Sequence, residues 1–260
     1  MGDFSADWLS LRARYDTEAR AEVLEQRLAR FAAARLNGSG RALQVIDLGA
    51  GSGNNHRHLS PRLPIRQHWT LVDGDEDLLR TAPQTTDISR KHADLAVDLE
   101  ASVPETADLV TASALIDLVS RNWLVRLVRR VEEVNAALLV VLTYDGRIRW
   151  SDDDAEDGWV RDLVNTHQRG EKGFGPALGP DAPRAFQDVA GPGLATFSSD
   201  WRIGRADRDM RIALVDGWAT AAAEIAPEDR SRVSAWALRR RESEADLIVG
   251  HADQLMLPAM

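Results

Sequence analysis

The sequence predicts an α/β protein built around a mostly parallel sheet. Three observations carry that prediction. Five short apolar runs alternate with segments of helical period between residues 42 and 144. The first run opens the stretch VIDLGAGSGNN (45–55), where glycines at alternate positions follow an acid. The second run, HWTLVD (68–73), ends on another acid, Asp73. Strands that alternate with helices pair in parallel and are covered on both faces by their crossover connections.

The elements follow in order. Residues 6–36 read as helical, with Val23, Leu24, Leu28, Phe31, Ala32 and Leu36 at helical spacing, and NGSG (37–40) stops the pattern. ALQVIDL (42–48) is a strand of the buried type. A helix starts after Gly53, and Pro61 and Pro64 end it. The strand at 68–73 precedes a helix, DEDLLRTA (75–82), whose first-turn acids complement the helix dipole. A weaker strand lies at 88–93, and ADLVTAS (107–113) is the fourth. Residues 115–134 form a long helix with Leu115, Leu118, Val119, Trp123, Leu127, Val131 and Val134 on its apolar side. AALLVVLTY (136–144) is the fifth and most apolar strand.

The pattern then changes. Residues 145–193 hold a helix (155–169), the Gly/Pro-rich RGEKGFGPALGP and a further short helix, with no strand in evidence. LATFSSDWRIG (194–204) reads as a strand, 208–225 and 228–243 as helices, and ADLIVGHADQLML (245–257) as a closing strand or pair of strands. No repeat or linker divides the chain, so a single domain is expected over 1–260. Residues 1–40 would form an N-terminal helical cover, and 145–193 an insertion over the C-terminal edge of the sheet, placed as a substrate lid.

Composition narrows the function classes. The net charge of −9 argues against a nucleic-acid partner. The absence of cysteine removes disulfides, thiolate metal sites and cysteine nucleophiles. No apolar run approaches membrane-spanning length, and MGDFSADWLS lacks the regions of a signal peptide, so a cytoplasmic protein without membrane contact is expected. Basic residues are arginine except for Lys91 and Lys172, which with the many alanines suggests a GC-rich bacterial genome.

The glycines need an explanation. An open parallel sheet binds ligands beyond the C-terminal ends of its strands. Gly49, Gly51 and Gly53 bring backbone close to such a ligand. The dinucleotide fingerprint would place its third glycine at residue 54, which is Asn54, so a nicotinamide-dependent oxidoreductase is disfavoured. Asp73 stands twenty residues beyond Gly53, where a carboxylate can accept from both hydroxyls of a ribose. Asp94, just beyond the third strand, can accept from an adenine amino group beside the Leu95 N–H.

VIDLGAGSG, LVDGDEDLL, HADLAVDL and ADLVTASALIDLV together resemble the successive motifs of class I S-adenosylmethionine-dependent methyltransferases over roughly residues 42–144. The resemblance implies a Rossmann-like, seven-stranded, mostly parallel sheet with helices on both faces, ending in an antiparallel hairpin, and S-adenosyl-L-methionine as cofactor. It implies that Gly49, Ala50 and Gly51 line the methionine and ribose portion, and Gly53 belongs to the same loop. Asp73 would hold the ribose, Gly74 and Asp75 would flank the adenine, and Asp94 with Leu95 would meet its edge. Ser113 would lie under the methionyl group. Asp47 would order the glycine loop and reach the ammonium through water.

The methionine carboxylate calls for a cation, and arginine offers a two-oxygen fork. Arg12, Arg14 and Arg20 are available in the N-terminal helix; Arg12 or Arg20 is favoured, with Trp8 and Tyr15 as cover. Methyl transfer mostly needs proximity and orientation, and a base only if the acceptor must lose a proton. Asp117, Tyr144, Asp145 and Arg147 stand near the ends of strands four and five, and His167 closes the insertion helix. Arg147 and Arg149 suit either the acids of SDDDAED (151–157) or an acidic acceptor. That run reads as a helix N-terminus rather than a metal site, and no metal is expected. His56, His58 and His251 lack a ligand-like partner in sequence.

These readings predict methyl transfer to oxygen or nitrogen of a small-molecule acceptor, in a chain that can form a homodimer. TASALIDL lacks the Asn/Asp-Pro-Pro-aromatic pattern of the enzymes that methylate nucleic-acid bases. A protein or RNA methyltransferase, an aminopropyl transferase and a non-catalytic S-adenosylmethionine-binding regulatory or partner protein are the alternatives.

Overall fold

The computed structural model describes residues 6–258, so residues 1–5 of the expected N-terminal cover lie outside the described part. Helices α1 (Ala6–Ala19) and α2 (Glu22–Leu36) lead into β1 (Leu43–Leu48), α3 (Asn54–Leu59), β2 (Gln67–Asp73), α4 (Glu76–Thr81) and β3 (Ile88–His92). Next come α5 (Leu99–Ser102), β4 (Leu109–Ser113), α6 (Arg121–Glu133) and β5 (Ala137–Trp150). The C-terminal half holds α7 (Asp157–Gln168), α8 (Ala182–Ala190), β6 (Ala195–Ser198), β7 (Trp201–Ile203), α9 (Arg208–Ile225), α10 (Arg230–Glu242) and β8 (Leu247–Met256).

The strands form one sheet in the order β3-β2-β1-β4-β5-β8-β6, with β7 also pairing β8. The first five strands are parallel, and β8 runs antiparallel to β5, β6 and β7. Alternating side chains serve opposite faces. Ile46 and Leu48 enter a core with α5, α6 and α8, whereas Val45 enters one with α2 and α3. Asp47 shares the Val45 face, which aims it beneath α2 and α3.

Four departures from the sequence reading have local causes. The N-terminal helix is two helices, because the Ala21 N–H donates to the Asp253 carboxylate at 2.9 Å. The long helix starts at Arg121 rather than 115, because Ser120 accepts from the Trp123 N–H as its N-cap. The fifth strand continues through the start of the expected insertion to Trp150, paired with β8 as far as Leu247. The sixth strand splits, giving eight strands instead of seven. At the split the Ser199 N–H donates to the His251 carbonyl at 2.9 Å, and the Asp200 carboxylate accepts from the His251 N–H at 3.3 Å.

The extended β5 folds back on β8 only because residue 250 is glycine. A Cβ there would stand 2.2 Å from Asp145 Oδ1 and 2.8 Å from Arg147 Cβ. A third core gathers around this extension, with Trp201, Trp218 and Trp236 packed among α7, α9, α10 and β8. The acids of SDDDAED dock α10: Arg240 pairs with Asp152 and Asp157, Arg239 with Asp154, and Arg232 with Glu156. Among the described residues no group of acids and histidines has the arrangement of a metal site, and no helix is long and apolar enough to cross a membrane.

Candidate functional site

The glycine loop leaves β1 with Gly49, Gly51 and Gly53 all at positive φ. Asp73 at the end of β2 fixes it: one carboxylate oxygen accepts from the Gly51 N–H at 2.7 Å, the other from the Asp75 N–H at 2.8 Å. Each oxygen keeps a lone pair for a further donor. Gly51 faces open space up to Leu9 of α1, and Ala50 is buried beside it. Gly53 faces the other way, where a Cβ would meet Pro83 at 3.1 Å, so it serves helix packing rather than a ligand. The Asp75 carboxylate is the N-cap of α4, accepting from the Leu78 N–H at 2.9 Å. The Gly74 carbonyl lies 3.0 Å from His92 Nε2.

At the end of β3, the Asp94 carboxylate is exposed and turns back to the Ala96 N–H at 2.9 Å. The Leu95 side chain is buried and its carbonyl accepts from Trp123 Nε1 at 2.6 Å. The Leu95 N–H donates to no group among the described residues.

A cavity of about 200 Å³ opens between α1 and α3, lined by Asp16, Arg20, Asn55, Ser113 and Leu142 among others. Arg20 sits at its wall with its side chain 3% exposed. Its Nη1 donates to Asn55 Oδ1 at 3.0 Å, while Nε and Nη2 make no hydrogen bond. Glu25 and Asp253 stand 3.4 and 3.6 Å from the guanidinium and balance its charge. Asn55 donates onward to Asp47 Oδ1 at 2.8 Å, and Asp47 Oδ2 is buried without a partner. Burial pushes the Asp47 carboxyl up to about 7, against the opposing pull of Asn55 and Arg20. Arg20 is thus a buried cation on the cavity wall, faced by two acids. Arg12 does not line this cavity: Asp16 holds its guanidinium as a fork at 2.9 and 3.1 Å, and it lies over Trp201 at 5.0 Å. Arg14 turns outward to Asp207.

A second cluster lies past the end of β4 and beside the irregular middle of β5. Ala114 and Leu142 adopt positive φ there, which β-carbons resist, and the Ala114 N–H donates to the Val141 carbonyl at 2.9 Å. Asp117 has an enclosed carboxyl raised to about 6 by desolvation, and its Oδ1 has no partner. The Tyr144 hydroxyl donates to Asn165 Oδ1 at 2.8 Å. Burial, then the Asp145 charge, raises the phenol further above its ordinary range. Asp145 is spent on Arg147, accepting from its backbone N–H at 3.0 Å and from Nε at 2.7 Å.

His167 is not part of this cluster. It lies on the face of α7 opposite Asn165 and binds Glu224 of α9 at 3.0 Å. The histidine in the cluster is His251, on β8 beside Tyr144, with its ring 4.6 Å from Trp201 and 6.2 Å from Tyr144. Its Nδ1 lies 3.1 Å from the Val249 carbonyl, which can only accept, so Nδ1 carries the proton and Nε2 presents a lone pair. Desolvation, with Arg12 next, lowers its pKa to about 3 and keeps the ring neutral at pH 7. His251 and Asp253 were not singled out from the sequence; the signal that could have found them is their polarity inside an apolar strand beside Gly250, a residue type that marks close backbone approach. Asn55, next to the diagnostic Asn54, carried no comparable signal.

No family model matches the sequence, and no curated protein matches it. Among solved structures the chain is similar to a putative type II methyltransferase from Anaeromyxobacter dehalogenans, at 18% identity, TM-score 0.53, and 92% and 97% coverage of the two chains. It is also similar to a cyclopropane-fatty-acyl-phospholipid synthase-like protein from Lactobacillus casei, at 13% identity, TM-score 0.53, and 95% and 99% coverage. The chain has the fold of class I S-adenosylmethionine-dependent methyltransferases.

Proposed function

We propose that the protein is an S-adenosylmethionine-dependent methyltransferase acting on oxygen or nitrogen of a small-molecule acceptor. The observation that carries this reading is the Asp73 carboxylate, tied to the Gly51 N–H at the end of β2 with lone pairs still available. The groups nearby suit the remaining parts of that cofactor: the Leu95 N–H for an adenine edge, Arg20 Nε and Nη2, which face Glu25 and Asp253 without a hydrogen bond, for a carboxylate, and Asp47 Oδ2 for an ammonium. When bound, the cofactor would supply a methyl group on a sulfonium, already activated for displacement.

The protein's own contribution is placement and proton acceptance. Tyr144 and Trp201 provide rings against which an acceptor packs. His251 Nε2 accepts the acceptor's proton as the new bond forms. Burial keeps the His251 ring neutral at pH 7, so its Nε2 carries no proton of its own. Asp117 stays largely neutral at acidic pH and can donate to the acceptor. The segment 145–193 would serve as the substrate lid: the Gly179 N–H donates to the Asp117 carbonyl and the Leu178 N–H to the Val119 carbonyl, each at 2.8 Å.

Incubation with methyl-labelled cofactor and a metabolite extract tests the reading. Label in a small product, lost in Asp73→Ala, supports it. Retained S-adenosylhomocysteine affinity with no transfer to any extract would instead support a binding module.

A further inference from the structure

A second cavity, of about 280 Å³, lies between the extension of β5 and α7. Arg149, Arg161 and Arg169 line it. Residues 161, 165 and 169 recur every fourth position and so share one face of α7, and Arg149 reaches in from β5. Among the described residues the Arg149 side chain has no acidic partner and no hydrogen bond, and it is exposed. Arg161 spends Nε and Nη2 on Asp162, leaving Nη1, and Arg169 spends Nε on Asp181 and Nη1 on the Asn165 carbonyl, leaving Nη2. Two acids, Asp145 and Asp181, also line the cavity; Asp145 is neutralised by Arg147 and Asp181 by Arg169. Arg147 is held by Asp145 and Asp200. The unspent donors are therefore cationic and come from two elements.

This cavity shares its walls with the acceptor cluster. Asn165 receives the Tyr144 hydroxyl and donates to the Gly146 carbonyl at 3.1 Å. Pro180 follows Gly179, which is bonded to Asp117. We infer that the cavity holds the phosphate group of a phosphorylated acceptor; this rests on the methyltransferase reading. Three guanidinium groups from two elements match the several oxygens of a tetrahedral anion, whereas a carboxylate is served by one fork.

The test is calorimetric titration of the full chain with inorganic phosphate, and with acetate, at low salt. The variants Arg149→Gln and Arg161→Gln are titrated beside wild type, each also with S-adenosylhomocysteine. The expected result is saturable phosphate binding, weakened about fivefold or more in each variant, with acetate far weaker and S-adenosylhomocysteine affinity unchanged. Absence of saturable phosphate binding, binding by both variants as tight as wild type, or acetate binding as tight as phosphate would overturn the inference. S-adenosylhomocysteine affinity reports separately on the methyltransferase reading, so its loss in wild type sinks that reading and with it the role of the phosphate as part of an acceptor.

Discussion

The carboxylate of Asp73 holds the Gly51 N–H at 2.7 Å, joining the end of β2 to the loop that leaves β1. One side chain thus sets the loop and still faces the space where a ribose would lie. Asp73→Ala removes two hydrogen bonds to a charged acceptor and lets the loop relax. S-adenosylhomocysteine affinity should fall by about tenfold or more. Calorimetry showing unchanged affinity would remove Asp73 from the ribose site.

Asp47 predicts a pH dependence of binding. Its buried carboxyl titrates near 7, above its unfolded value, so it is protonated below that pH. An ammonium placed beside it favours the charged form, so binding below pH 7 must release a proton. Affinity should fall as pH drops from about 7 to about 5.5 and level off above about 8. The heat of binding at pH 6 should differ between buffers of different ionisation enthalpy. Asp47→Asn should abolish both effects.

His251 and His167 make opposite predictions. Replacing His251 by Gln should lower kcat by about a hundredfold or more, with cofactor affinity kept. His167→Ala should leave turnover within about twofold, since His167 only pairs with Glu224 on the surface. A His251→Gln enzyme of normal kcat would show that the acceptor needs no base from this residue.

Arg240 anchors the C-terminal helices. Its side chain is 3% exposed, pairs with Asp152 and Asp157 and lies 4.4 Å over Trp150. Arg240→Ala should destabilise the fold by about 2–4 kcal/mol, because Asp157 and the Trp150 face lose their partner together. Denaturant unfolding measures this, and a loss below about 0.5 kcal/mol would class the cluster with ordinary surface pairs.

The parallel half of the sheet was legible in the sequence because four of its five strands are apolar and helical segments separate them, while β3, ISRKH, gave the weakest signal. Asp73, Asp94 and the glycine loop were legible because strand ends in such sheets face the ligand. What stayed hidden depends on contacts distant in sequence. The break at Ala21 needs Asp253, more than two hundred residues away. Nothing in EARAEVLEQRL announces that break, since every residue in it but Val23 is a strong helix former and neither Gly nor Pro interrupts it. His167 stood out as a histidine next to a glycine-rich stretch, yet the rotation of α7 points Asn165 inward instead. His251 lay in a strand whose polar residues meet Tyr144 and Leu142 only because the pairing of β5 with β8 shifts register there.

The central claim is that the Gly49–Gly51 loop, Asp73 and Arg20 form a site for S-adenosylmethionine. Calorimetric titration of the full chain with S-adenosylhomocysteine and, in parallel, with NAD and NADP tests it most directly. The account predicts one-to-one binding of S-adenosylhomocysteine, weakened by Asp73→Ala and Arg20→Met, and no saturable binding of either dinucleotide. Tight dinucleotide binding with no response to S-adenosylhomocysteine would contradict it.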